Sequence, residues 1–150
     1  MISRYYVGPP KKHRPVVHDP QRHLVYRMER DIIGWAINTT TDIDSLQDIA
    51  DHACREHGVS EVEINTINKP DYPVFGYADH AIYLNAGYNG QNVGTLLHEL
   101  AHWIVFEQNP KVTEHHGKEF IRVYGDLLDR YKMMPKHLFY KLCDQYKVEY

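Results

Sequence analysis

Thiol chemistry is scarce in this 150-residue chain: Cys54 and Cys143 are its two cysteines. They fall in separate helical patterns, with neither C-x-x-C spacing nor a multi-bridge framework. A disulfide-stapled secreted scaffold is therefore excluded, and a reduced compartment with both thiols as core fillers is the simplest expectation. The chain also lacks a basic segment leading into an apolar one at its start, and no apolar run approaches the length of a bilayer span. That predicts a cytoplasmic protein with no membrane partner. Positive charge is not in surplus either. A net charge of −3 argues against a protein that coats nucleic acid with a globally basic surface. No internal repeat or low-complexity tract is present, and the length fits one domain able to bury about two thirds of its unfolded surface.

Charge is unevenly distributed. Residues 1–30 hold seven Lys/Arg against Asp19 and Glu29, whereas residues 31–150 hold ten against eighteen acids. Pro9, Pro10, Pro15 and Pro20 deny the first segment a regular helix. We expect residues 1–18 to form an extended, partly disordered basic arm ahead of a domain spanning 19–150. Such an arm can be a solvated tail, or it can touch phosphate on a nucleic acid.

The chemistry concentrates in Thr95-Leu-Leu-His98-Glu99-Leu-Ala-His102-Trp103 and in Glu114-His115-His116-Gly117-Lys118-Glu119-Phe120. Side chains four apart on a helix project from one face, so His98 and His102 can meet one ion, with Glu99 next along that side. H-E-x-x-H on a helix is the zincin arrangement, in which two imidazoles hold Zn²⁺ and the carboxylate takes a proton from the activated water. Eleven histidines make the bare pattern only moderately specific, so context matters. Asn85–Asn92 is turn-rich and supplies a cap. Val93, Leu96, Leu97, Leu100, Ala101 and Ile104 recur at helical spacing away from the histidines, which predicts an apolar face in the core and a histidine pair facing a cleft.

Around this helix the pattern is α+β. Residues 19–30 fit a strand, through Leu24, Tyr26 and Met28, or a helix. Thr41-x-x-Asp44 resembles a capping box opening a helix with Ile43, Leu46, Ile49, Ala50, Ala53 and Cys54 inward, stopped by Gly58. Val62, Ile64 and Thr66 alternate with Glu61, Glu63 and Asn65 in a strand. After a turn at Asn68–Asp71, Tyr72–Ala78 and Ala81–Asn85 read as short strands. The metal helix should run from about Asn92 to Glu107, because Asn109-Pro110 cannot continue it. Two further helices follow, one carrying Phe120 to Tyr131 and one opened by Pro135 with Leu138, Phe139, Leu142 and Tyr146 inward. The expected fold is a single α+β domain with one small, mostly antiparallel sheet.

A catalytic zinc site has three protein ligands and leaves a fourth position for water. The third comes from Glu107, Glu114, His115, His116 or Glu119. Glu107 is rotated away from the pair, and only one of the adjacent histidines can face the ion. The sequence His98-Glu-Leu-Ala-His102, thirteen residues, then His116-Gly-Lys-Glu-Phe120 resembles the SprT-like (Spartan-type) metalloproteases, with their H-E-x-x-H followed by a third zinc histidine in an H-G-x-E-F element. Asp19-Pro-Gln-Arg-His-Leu-Val-Tyr26 extends the likeness to a group of small single-domain metallohydrolases. The resemblance implies a zincin-like fold, His98, His102 and His116 as Zn²⁺ ligands, and Glu99 as catalytic base. The chain lacks the DNA-binding zinc module and long tail of the Spartan type, which sets a role on DNA–protein crosslinks apart.

The function expected is therefore a zinc metallohydrolase, foremost a metallopeptidase acting on a peptide or protein. A non-peptide amide or ester, or a non-catalytic zinc-stabilised module using the basic arm, are the alternatives. Tyr124, two turns after His116, is the candidate oxyanion donor, with Tyr83 and Tyr88 behind it, although tyrosines at helical spacing also fit a core. Glu119 is a candidate acceptor for a ligand histidine's N–H. A peptide substrate could add as a strand beside Ala81–Asn85.

Overall fold

A computed structural model describes residues 6–7, 18–33, 40–67, 74–76, 80–85 and 91–150 of the chain. Most of the basic arm, the turn at Asn68–Asp71 and Tyr88 lie outside the described residues. The chain mixes helix and sheet in the order β1 (Tyr6–Val7), α1 (Arg22–Met28) running into a π-helical turn (Glu29–Ile33), α2 (Ile43–Glu56), β2 (Glu63–Ile67), β3 (Val74–Gly76), β4 (Ala81–Asn85), α3 (Val93–Gln108), α4 (Lys118–Arg130) and α5 (Lys136–Tyr146).

The segment left open between strand and helix is helical. Gln21, Val25 and Met28 are buried at the i, i+4, i+7 spacing of one helix face, and this outweighs the alternation of Leu24, Tyr26 and Met28. In α2 the cap is Asp42, one residue past the expected Thr41, with its side chain accepting from Ser45 N–H at 2.8 Å. Gly58 ends the helix as expected. Its φ of +64° suits glycine, and Val59 N–H closes a Schellman turn on Cys54 O at 3.0 Å.

The sheet has order β1-β3-β4-β2, and here the mostly antiparallel expectation is corrected. β1 pairs with β3 and β2 with β4 in parallel, and only β3 and β4 are antiparallel. The chain leaves β2, reverses into β3 and reverses again into β4, so β2 and β4 point the same way and lie side by side. Alternation fixes which face a side chain takes and says nothing about which strand is its neighbour. It also stops short in β2, where Val62 and Ile64 are buried but Thr66 is exposed. β4 is an interior strand, paired along its length with β2 and over Ala81–Tyr83 with β3, so over those residues neither side is open to the substrate strand expected there.

α3 packs against α2 and α4, α4 against α5, and α5 against α1. Asn92 caps α3, accepting from Thr95 N–H at 2.7 Å, and Thr40 bridges to Asn92. The expected two-faced helix is instead buried all round. Every residue from Val93 to Val105 except Thr95 is inside, as a helix apolar on every side requires. Trp103, fully buried, satisfies its indole N–H on Ser60 O at 2.9 Å. In α5 the inward row is Phe139 and Cys143, while Leu138 is 42% exposed. Gly125 lets this helix close on α4, because a Cβ there would sit 3.0 Å from the Phe139 ring. Among the described residues no helix is long and apolar enough to cross a membrane.

Candidate metal centre

His98 and His102 sit one turn apart on α3, and their Nε2 atoms approach to 3.2 Å. Zn–N bonds of about 2.05 Å at a tetrahedral angle place ligand nitrogens about 3.3 Å apart, so this separation, also that of a ring-to-ring hydrogen bond, suits a shared ion. His116 joins them from the turn before α4. One nitrogen from each of the three rings lies within 4.8 Å of the others. The three side chains are 4%, 7% and 2% exposed. Phe120, one turn after His116 and fully buried, packs against all three rings at centroid distances of 5.1, 4.5 and 4.9 Å.

His116 is held by backbone and ring together. Asp19 Oδ1 accepts from its backbone N–H at 2.9 Å, and Asp19 Oδ2 lies 2.8 Å from its Nδ1. The Gln21 amide donates to its carbonyl at 2.8 Å and, with the same side chain, pairs with the backbone of Glu149. Gly117 caps α4 with an ordinary φ of −79°; glycine is needed there for space, since a Cβ would fall 2.9 Å from Glu114 Cβ. His98 Nδ1 lies 2.5 Å from Glu29 Oε2, and the Tyr124 hydroxyl donates to that same oxygen at 2.8 Å. Tyr26, one turn before Glu29, lies edge-on to His116 and stacks on His98.

The electrostatics follow from burial. Burial, helped by neighbouring histidines, lowers His102 well below the usual range, and burial also lowers His116 against the opposing pull of Asp19. Both are thereby kept neutral, which is the ligating form. Burial would raise Asp19 and Glu29, but hydrogen bonds and charge from His116 and His98, with the Tyr124 hydroxyl added at Glu29, outweigh it and lower both carboxyls. Glu99 has no such partner. It is fully buried, and burial first, then the charge of Glu29, raises it well above the carboxylate range.

Both Glu99 oxygens and His116 Nε2 are buried with no hydrogen-bond partner among the described residues. Buried polar atoms left so are costly unless something else meets them. A cation facing His116 Nε2, with a water between it and Glu99, would satisfy all three, so the residues present fit a metal ion.

Of the other ligand candidates, His115 is half-buried with its ring 6.5 Å from that of His102, and its nitrogens do not join the convergent set. Glu107 accepts from Ser60 N–H. Glu119 is exposed and takes the Asn109 amide at 3.3 Å, so the expected histidine acceptor is replaced by Asp19 and Glu29. Tyr124 reaches the site, but its hydroxyl proton is engaged with Glu29. Tyr83 is half-buried on β4. A cleft of about 450 Å³ opens beside the clamp, lined by Gln21, Glu114, Gly117 and Lys118 among others but by none of the three histidines. Reading the sequence missed Asp19, Gln21 and Glu29. Asp19 before Pro20 and the polar Gln21 on an inward helix face were the available signals.

No family model matches this chain, and no curated protein or solved structure compared with it matches either.

Proposed function

We propose that this chain is a zinc-dependent metallohydrolase of zincin type, foremost a metallopeptidase. The observation that carries the reading is the buried convergence of His98, His102 and His116 beside Glu99, whose two oxygens find no donor among the described residues. Three imidazoles with no thiolate among them suit a catalytic zinc centre, whereas structural centres take four protein ligands and commonly use cysteine. Cys54 and Cys143 are buried, unbridged and outside the cluster; the same free thiols suit the cytoplasm.

When bound, a divalent zinc ion supplies Lewis acidity toward a carbonyl and toward water. The chain's residues do the rest. The three histidines fix the ion's place. Glu99 accepts a proton from the attacking water and returns it to the leaving amine. Tyr124 serves the site through Glu29, on which its hydroxyl already rests, and Phe120 keeps the three rings apart from solvent. The likeness of His98–His102 and His116–Phe120 to the SprT-like metalloproteases supports the choice of a peptide bond.

A second reading, a non-peptide amide or ester as substrate, is favoured by the sheet, because β4 is paired on both sides over Ala81–Tyr83, which removes that stretch as a backbone ladder for an extended peptide. Metal analysis of protein purified without chelator should give one zinc per chain and a loss of that zinc in His116→Ala. Retention of full zinc by His116→Ala would make the ligand assignment wrong. Parallel assays of unstructured peptides and small amides then separate the two substrate classes.

A further inference from the structure

We propose that Glu29 and Asp19 are positioning residues of this centre, holding His98 and His116 as Nδ1–H tautomers so that each turns a bare Nε2 toward the ion; the inference rests on the three-histidine reading above. An ionised carboxylate can only accept, so an imidazole nitrogen facing one must carry the proton. His98 Nδ1 faces Glu29 Oε2 and His116 Nδ1 faces Asp19 Oδ2. Facing the carboxylate puts a ring's single proton on the outer nitrogen, and the lone pair on the inner one. That is consistent with the 3.2 Å approach of His98 Nε2 to His102 Nε2 and with the absence of a donor at His116 Nε2 among the described residues.

Each carboxylate is itself fixed. Asp19 uses its second oxygen on the backbone N–H of His116, so ring and main chain are set by one side chain. Glu29 opens the π-helical turn that follows α1, and it takes the Tyr124 hydroxyl on the oxygen that faces His98. π-helical turns tend to occur where a side chain must be aimed at a functional site. Both acids come from a single short stretch, so one element orients two of the three ligands.

Two measurements on the full chain test this. In metal-stripped, ¹⁵N-labelled protein, long-range ¹H–¹⁵N spectra should show His98 and His116 as neutral Nδ1–H rings. Glu29→Ala should release His98 to a tautomer mixture and leave His116 unchanged, with Asp19→Ala doing the converse. Zinc affinity, read by competition with a chromophoric chelator, should fall about 100-fold in Glu29→Ala and about 10-fold in Glu29→Gln, which keeps an acceptor but no charge. The absorption bands of the Co²⁺-loaded protein should shift in step. If Glu29→Ala does not fold, the isosteric Glu29→Gln decides by affinity and band position. Unaltered ring tautomers in the alanine variants, or zinc affinity within about twofold of wild type in Glu29→Gln, would overturn the proposal. Failure of the wild type to bind zinc would instead remove the metal reading, with the tautomer spectra still deciding what the carboxylates do.

Discussion

Glu29, half-buried, and Glu99, fully buried, are two carboxylates of one site, and their surroundings drive their proton affinities in opposite directions. Burial, and then the negative charge of Glu29, holds Glu99 well above the usual range. At Glu29 burial acts the same way but is outweighed by His98 and the Tyr124 hydroxyl, which lower it. Carboxylates separated in this way mark different tasks: one to exchange protons, the other to stay ionised.

Glu99→Gln should therefore leave zinc content at the wild-type level and cut hydrolysis by about 10²- to 10⁴-fold, the usual contribution of a positioned acid–base group. Metal analysis and turnover on one preparation check both halves. Full activity in this variant would dismiss Glu99 as the base.

Gly117→Ala should harm the centre without touching a ligand. The new Cβ would meet Glu114 Cβ at 2.9 Å and Glu114 O at 3.2 Å, so the turn must open and His116 must leave its seat on Asp19. We expect a loss of about 1–3 kcal/mol from overpacking, measured by urea unfolding, together with weaker zinc binding. Wild-type behaviour in both would show that the turn has slack.

Acid should weaken the start of α2. Hydrogen bonds from Ser45 N–H and Oγ hold the Asp42 carboxyl below its usual 3.8. A carboxyl with a lower pKa folded than unfolded stabilises the fold above the unfolded value, and that stability is lost as pH falls through the folded one. Unfolding curves of the wild type should drop more steeply below pH 3.8 than those of Asp42→Asn, whose side chain caps but does not titrate.

The two cysteines should be inert in the folded protein. Burial pushes Cys54 up to about 11 and Cys143 to about 12, so at pH 8 about a thousandth or less of either is thiolate. A colourless-to-yellow thiol reagent should report no fast reaction until denaturant is added, and then two thiols per chain. Prompt labelling in buffer would contradict their burial.

The parts of this molecule legible in its sequence are the local ones. The turn between His98 and His102, the cap at Asn92, the stop at Gly58 and the helix after Gly117 follow from spacings of a few residues. His116 was reached by likeness of motif, because no local rule links it to α3. The acids behind the ligands were out of reach, since Glu29 meets His98 across 69 residues and Asp19 meets His116 across 97. Glu119 was nearer in sequence but faces outward. The sheet misled for a related reason: Ile64 and Ile82 register their faces, yet nothing in either strand says that β2 lies beside β4. The histidine side of α3 was taken as open because histidine is polar; in the fold, Phe120 and α1 close over it.

The Gln21 carboxamide makes three hydrogen bonds to two distant places, accepting from Glu149 N–H while donating to the carbonyls of Glu149 and His116. Strain introduced at residue 149 would thus travel through one planar group to the backbone of His116, 33 positions earlier in the chain. The segment at Glu149 is, mechanically, a lever on the seat of His116.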